Sequence, residues 1–477
     1  MHRPVVVLTT SGTAVSELLP ATIESHYQAQ PLILLTADRP IVFRGRGAPQ
    51  AIRQEALLQP YAFFPGDLGR VEDLTNALSW DGTRPLHLNV CLEEPAPMCQ
   101  ENAASLSVPE HPRFSPAQQV LSTEPISRFI SQPEALLVLL GESDEGLDPA
   151  LESFLQNLAS PIWAEVSSGA HESEKLKTLL LRGGERSLTQ LKPSPRKVMR
   201  IGGVPSCRFW RDLENYPEVQ VLSISRNGLP GLARDCDFLA APELKVPWPS
   251  ISSARKPTAS WLDGDRSWRD HLVRLLAKHP KSEPSLLRTL HQQVREHSTV
   301  FTGNSLPVRE WNLVASLEKK SLRTFANRGA NGIDGCLSTF AGLLHPDQEN
   351  WGLFGDLTTL YDLSAPWAIR SHIANDTVVR IVVINNGGGQ IFGLLPALEG
   401  IGEREMAAIQ NPHPFTFEHW ADMWQFDHFR ATTPEDLAGL PSGDEVPRLV
   451  VELLPDPDQS EAFWSTYRTG PTDGGAS

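Results

Sequence analysis

The sequence predicts an α/β chain built from three parallel-sheet domains, on three observations. Short apolar runs recur along its 477 residues, separated by stretches of helix length, which is the pattern of strands joined by helical crossovers. Two Pro-rich segments, near 93–116 and 242–257, divide those runs into three groups. A chain of this length also exceeds what one hydrophobic core holds, so two to three domains are expected.

In the first group, Val5-Val6-Val7-Leu8 reads as a buried strand. Thr9 to Val15 turns into a helix, and Pro31 to Thr36 forms a second strand. Leu86 to Val90 adds another before the first linker. The second group opens at Ala135 to Leu140, continues with a helix at Pro149 to Leu158, and has strands at Ile162 to Val166, Val198 to Gly202 and Val219 to Ser225. Beyond the second linker come amphipathic helices at Trp268 to Ala277 and Ser285 to Val294, a strand at Thr299 to Thr302, and a last strand at Arg448 to Leu453. The domains are expected at 1–105, 118–245 and 265–465, with a loose tail at 466–477.

Composition narrows the function classes. A net charge of −15, from 42 basic and 57 acidic residues, argues against a general nucleic-acid or membrane surface, which needs clustered positive charge. The five cysteines have no C-x-x-C spacing, so neither a zinc cluster nor a disulfide framework is expected. No run approaches eighteen apolar residues and no signal-peptide pattern opens the chain, and a cytoplasmic location is the expectation.

The most informative residues are Asp356, in Gly355-Asp356-Leu357, and the pair Asn385-Asn386, in Ile384-Asn385-Asn386-Gly387-Gly388-Gly389. Asp356 and Asn386 close two apolar runs. If those runs are adjacent parallel strands joined by a helix, two hard oxygen ligands meet at one sheet edge. That suits Mg²⁺ together with phosphate oxygens, and the glycines let the backbone approach a diphosphate. An ordinary crossover ending in turn-forming Asp and Asn carries the same letters.

The neighbouring segments separate these readings. Asn327-Arg328-Gly329-Ala330-Asn331-Gly332-Ile333-Asp334-Gly335, Gly387-Gly388-Gly389-Gln390-Ile391-Phe392, Thr10-Ser11-Gly12-Thr13-Ala14-Val15, Thr36-Ala37-Asp38-Arg39-Pro40 and Gly303-Asn304-Ser305-Leu306-Pro307-Val308-Arg309 together resemble the 2-succinyl-5-enolpyruvyl-6-hydroxy-3-cyclohexene-1-carboxylate synthase (MenD) family. This family belongs to menaquinone and phylloquinone biosynthesis. The resemblance runs from the first strand to the last and is weakest in the middle third.

It implies a thiamine diphosphate enzyme with pyrimidine-binding, central and diphosphate-binding domains. Mg²⁺ or Mn²⁺ would be held by Asp356, Asn386 and the carbonyl of Gly388. The cofactor would contact Ile333, Gly355, Asp356, Leu357, Asn386, Gly388, Gln390 and Ile391, with Ile333 as the apolar wedge beneath the bent cofactor. The implied substrates are 2-oxoglutarate, which is decarboxylated, and isochorismate, to which the succinyl carbanion adds 1,4. Arg39, Arg309 and Arg328 match the carboxylate clamps, a role suited to a guanidinium fork. Gln50 and Ser305 match their polar partners, and Ile391, Phe392 and Leu395 the apolar wall. The family also implies a homodimer or a dimer of dimers.

Three departures qualify the match. Pro49 stands before Gln50 where the family has Asn, which removes a backbone donor. Ser206-Cys207-Arg208 replaces a Ser-Lys segment, leaving Arg208 to carry the charge and Cys207 as a buried thiol. The glutamate that activates the pyrimidine lies, in the family, upstream of the Thr-Ser-Gly-Thr-Ala strand, and here four residues precede that strand. Glu17, Glu24 and Glu55 do not replace it, so the first domain is expected to be incomplete and the reading frame to start upstream of Met1. Two alternatives follow: another thiamine diphosphate carboligase or decarboxylase, such as an acetohydroxyacid synthase relative, and a non-catalytic remnant that still binds diphosphate.

Overall fold

The computed structural model describes residues 4–93, 121–132, 134–143, 146–241, 244–251, 259–374 and 376–471. The expected linker at 93–116 lies outside them beyond residue 93, and half of the one at 242–257 does. The chain divides into two units, residues 1–122 and 123–477, and the second and third groups of strands share the latter.

The first unit carries a parallel sheet of β1 (Val5–Thr9), β2 (Leu32–Asp38), β3 (Asp67–Leu68) and β4 (Leu86–Cys91), in the order β1-β2-β4-β3. Its core gathers Val15, Leu34, Leu58 and Ala62. The edge strand β1 leaves Val5, Val6 and Leu8 exposed.

The second unit holds two six-stranded parallel sheets. One comprises β5 (Leu136–Leu140), β6 (Ile162–Ala164), β7 (Leu180–Leu181), β8 (Lys197–Ile201), β9 (Gln220–Ser225) and β10 (Asp237–Ala240), in the order β10-β9-β8-β5-β6-β7. The other comprises β11 (Thr299–Thr302), β12 (Arg323–Ala326), β13 (Asn350–Gly355), β14 (Val379–Ile384), β15 (Asp427–Ala431) and β16 (Arg448–Leu453), in the order β12-β11-β13-β14-β16-β15. Leu136 to Leu140 is buried at every position, as an unbroken apolar strand covered on both faces must be.

Polar ties join these two sheets. Asn312 Oδ1 accepts from Val166 N at 2.9 Å, and the Asp265 carboxylate accepts from Arg182 N and Gly183 N at 2.7 and 2.8 Å. The helix Pro457–Thr469 continues past the expected start of the tail, because Phe463 and Tyr467 are buried in the core with Trp268. No helix among the described residues is long and apolar enough to cross a membrane.

Two buried histidines make the second unit acid-sensitive. Burial holds His171 at about 4 and His291 at about 3, below the ordinary value near 6.5. The unfolded chain therefore binds protons that the folded chain refuses, so stability is complete above about pH 6.5 and falls as the pH drops toward 4. Thermal midpoints measured across that window should decline, and His291→Leu should flatten the slope by up to about 1.4 kcal/mol per pH unit.

Candidate active site

All strands of the third sheet run parallel, so every strand delivers its following loop to the same edge, where open α/β sheets bind ligands. Strand β11 leads into Gly303-Asn304-Ser305, β12 into Asn327-Arg328, β13 into Asp356, and β14 into Asn385-Asn386. Strands β13 and β14 pair directly with Gly355 opposite Ile384, which brings Asp356 and the asparagine pair side by side. The order β12-β11-β13 places the switch point, where the strand order rather than the strand direction reverses, between β11 and β13.

Asp356 is buried, and one carboxylate oxygen accepts from Leu357 N at 2.6 Å. The other accepts from Gly388 N at 2.8 Å and lies 3.2 Å from His413 Nε2. Burial raises the Asp356 pKa, opposed by those N–H donors and by His413. Gly387 and Gly388 have φ of 81° and 137°, backbone that glycine alone adopts readily. The Gly388 carbonyl accepts from Gln390 N at 2.9 Å.

The two asparagines do different things. Asn385 Nδ2 donates to Glu452 Oε1 at 2.7 Å and to Phe415 O at 2.8 Å, tying the loop into the sheet. Asn386 Nδ2 donates to Glu283 Oε2 at 2.9 Å, and its Oδ1 is buried with no hydrogen-bond partner. An orphaned buried amide oxygen beside a buried carboxylate is a set of hard oxygen donors, and it fits Mg²⁺ or Mn²⁺.

The same edge collects the sequence-predicted arginines of this unit. Ser305, at φ 74°, precedes the helix Leu306–Ala315 and its carbonyl accepts from Arg309 Nη1 at 2.5 Å. Arg328 Nη1 donates to Asn304 Oδ1 at 2.8 Å, while Asn304 Nδ2 donates to Asn327 O and Gly332 O at 2.8 and 2.7 Å. Burial lowers the Arg309 pKa, and the charge of Arg328 lowers it further. Ile333, Gln390, Ile391, Phe392 and Leu395 are half-buried. Gln390 Nε2 donates to Asn386 O at 3.3 Å, and Leu395 lines a cavity of about 540 Å³ with Met406, Gln410 and Arg468.

Arg208 departs from expectation. Its side chain is 44% exposed and pairs with Asp212 at 2.8 Å, so its charge is already partnered at the surface. Arg211, one turn along the same helix, is the cation of the middle sheet that Arg309 senses. Cys207 is buried and its thiol pKa is raised by burial.

In the first unit, Arg39 Nη2 donates to Gln50 Oε1 at 3.2 Å. Arg44 anchors the loop between them through Asp38 and Asp67, both at 2.7 Å. Gln54 fixes its far end, accepting from Gly12 N at 3.1 Å and donating to Ala37 O and Asn89 Oδ1 at 2.8 and 2.6 Å. Gln50 takes a left-handed φ of 60°, so Pro49 does not prevent its pairing with Arg39.

Asn304, Glu283 and His413 were not foreseen as site residues. Asn304 lies inside a recognised segment, whereas Glu283 and His413 come from helix and loop positions with no local signal.

Gly388→Ala offers a geometric check. A Cβ there would stand 2.7 Å from the Gln410 carbonyl oxygen, on backbone with φ of 137°. Urea unfolding should show a loss of roughly 1–3 kcal/mol.

No family model matches the chain. Among curated proteins, the 2-succinyl-5-enolpyruvyl-6-hydroxy-3-cyclohexene-1-carboxylate synthase of Bdellovibrio bacteriovorus is 37% identical over 485 aligned residues, covering 98% of this chain and 86% of that protein. The synthase of the same name from Akkermansia muciniphila is 36% identical, covering 96% and 85%. That of Geobacillus thermodenitrificans is 30% identical, covering 89% and 77%. With identity at this level over most of both partners' length, the chain belongs to the 2-succinyl-5-enolpyruvyl-6-hydroxy-3-cyclohexene-1-carboxylate synthase family.

Proposed function

We propose that the protein decarboxylates 2-oxoglutarate and adds the resulting succinyl carbanion 1,4 to isochorismate, with thiamine diphosphate and Mg²⁺ or Mn²⁺, in quinone biosynthesis. The observation that carries this reading is the buried, unpartnered Oδ1 of Asn386 beside Asp356, on the edge that also holds Arg309 and Arg328. Family membership supports the reaction named by the relatives. A cytoplasmic location and at least a homodimer accompany the reading, as do pyrimidine-binding, central and diphosphate-binding regions at about 1–105, 118–245 and 265–465.

Asp356, Asn386 Oδ1 and the Gly388 carbonyl hold the divalent cation in this reading. Thiamine diphosphate, when bound, supplies the electron sink for loss of carbon dioxide. The glycines at 387–389 admit the diphosphate close to the backbone, and Gly355 with Leu357 forms the turn beside it. Ile333 wedges the cofactor, with Gln390 and Ile391 completing its cradle. Arg309 and Arg328 take carboxylates, and their charge stabilises negative charge that develops as the new bond forms. Ser305 orients Arg309 through its carbonyl. Phe392 and Leu395 exclude water, and Arg39 with Gln50, in the first unit, are carboxylate-binding residues in this reading.

Assays of the protein should detect carbon dioxide and the cyclohexene carboxylate product from 2-oxoglutarate and isochorismate, with pyruvate a poor donor. Equal use of pyruvate would favour a different carboligase, and cofactor binding without carbon dioxide release would favour a non-catalytic protein. Chelation should abolish activity, and Mg²⁺ or Mn²⁺ should restore it. Arg309→Lys should lower kcat/KM by about 10- to 100-fold, since an ammonium loses the forked contact.

A further inference from the structure

Asn386 has a two-sided amide, and only one side suits a cation. Rotation of the amide by half a turn would put an NH₂ group where an oxygen ligand is needed. The amide is held by Glu283, whose Oε2 accepts from Nδ2 at 2.9 Å. Glu283 comes from the first residue of the helix Glu283–Gln293, far from Asn386 in the sequence. Its own N–H donates to Ser460 Oγ at 3.1 Å, and its carboxyl faces that of Glu310 on the helix Leu306–Ala315, neither of whose oxygens has a hydrogen-bond partner. Glu283 and Glu310 are 3% and 0% exposed.

Two carboxyl groups facing each other in a core are costly, and packing alone is better served by apolar side chains of that volume. What the arrangement provides is a fixed acceptor for the Asn386 amide. It leaves Oδ1 as the free atom, which is the observed orphan.

We propose that Glu283 is a positioning residue of the metal centre, which holds Asn386 Nδ2 so that Oδ1 faces the cation. This rests on the metal-dependent reading above. Outer partners of metal ligands typically contribute about 10- to 100-fold in affinity.

The test is Mg²⁺ titration by calorimetry in saturating thiamine diphosphate, with thermal unfolding in the absence of Mg²⁺ as the control for folding. Glu283→Gln keeps an acceptor for Nδ2 and should bind Mg²⁺ within about threefold of the unsubstituted chain. Glu283→Met, of similar size, should weaken it by about tenfold or more. Asn386→Asp sets two carboxylates against each other and should bind poorly. Combining it with Glu283→Gln restores a donor and acceptor with their roles exchanged, and should regain about tenfold.

Unchanged Mg²⁺ affinity in Glu283→Met, or no regain in the exchanged pair, overturns the proposal. If Glu283→Met does not fold, the exchanged pair decides alone. Failure of the unsubstituted chain to bind Mg²⁺ with the cofactor removes both this inference and the functional reading. Normal binding there with indifferent variants removes only the inference.

Discussion

The parallel pairing of β13 with β14, Gly355 opposite Ile384, is the constraint on which the candidate site depends. Side chains alternate across a strand, so a slip of one residue would exchange the roles of Asn385 and Asn386. One asparagine then faces Glu452 and the sheet, the other faces Glu283 and the edge. Register is secured by strand β14, which is buried throughout and paired on both sides.

Around that edge, asparagine amides work as staples between loops that carry few regular backbone bonds. Asn304 spans from β11 to carbonyls of the 327–332 segment and at the same time accepts from Arg328. Asn385 does the same between β14 and Phe415. Each uses both donor hydrogens of one short side chain, and this orders a loop with less entropy loss than a long lysine or glutamine would need.

The strands at the centre of each sheet were legible because burial on both faces demands unbroken apolar runs such as Leu136 to Leu140 and Val379 to Ile384. Edge strands were not. Asp427–Ala431 and Asp237–Ala240 pair on one side only, and they carry charge that reads as loop. The end of the chain was misjudged for a related reason: Pro457–Thr469 is polar on average, yet it buries Phe463 and Tyr467. At the site, Asp356, Asn386, Ser305 and Arg309 were legible because they follow strands that the pattern defined, whereas Arg328 was legible only from its own segment, since the strand before it, Arg323–Ala326, was not marked. The surroundings of Arg208 were not legible because its partner Asp212, one turn along the same helix at 2.8 Å, is set by a local i,i+4 pairing and not by the strand pattern. Glu283 was invisible because its partner lies 103 residues away.

The mutual effect of Arg309 and Arg328 has a consequence for which molecules the edge retains. Two like charges beside each other, one of them largely desolvated, repel, against the pull of the nearby Glu185 and Glu165 carboxylates on Arg309. A dianion quiets both at once. A monoanion of the same shape neutralises one and leaves the other unbalanced in a medium that screens poorly. If the pair clamps carboxylates as proposed, it works as a valence counter: it discriminates by the number of charges a ligand brings, before any difference in its carbon skeleton is felt.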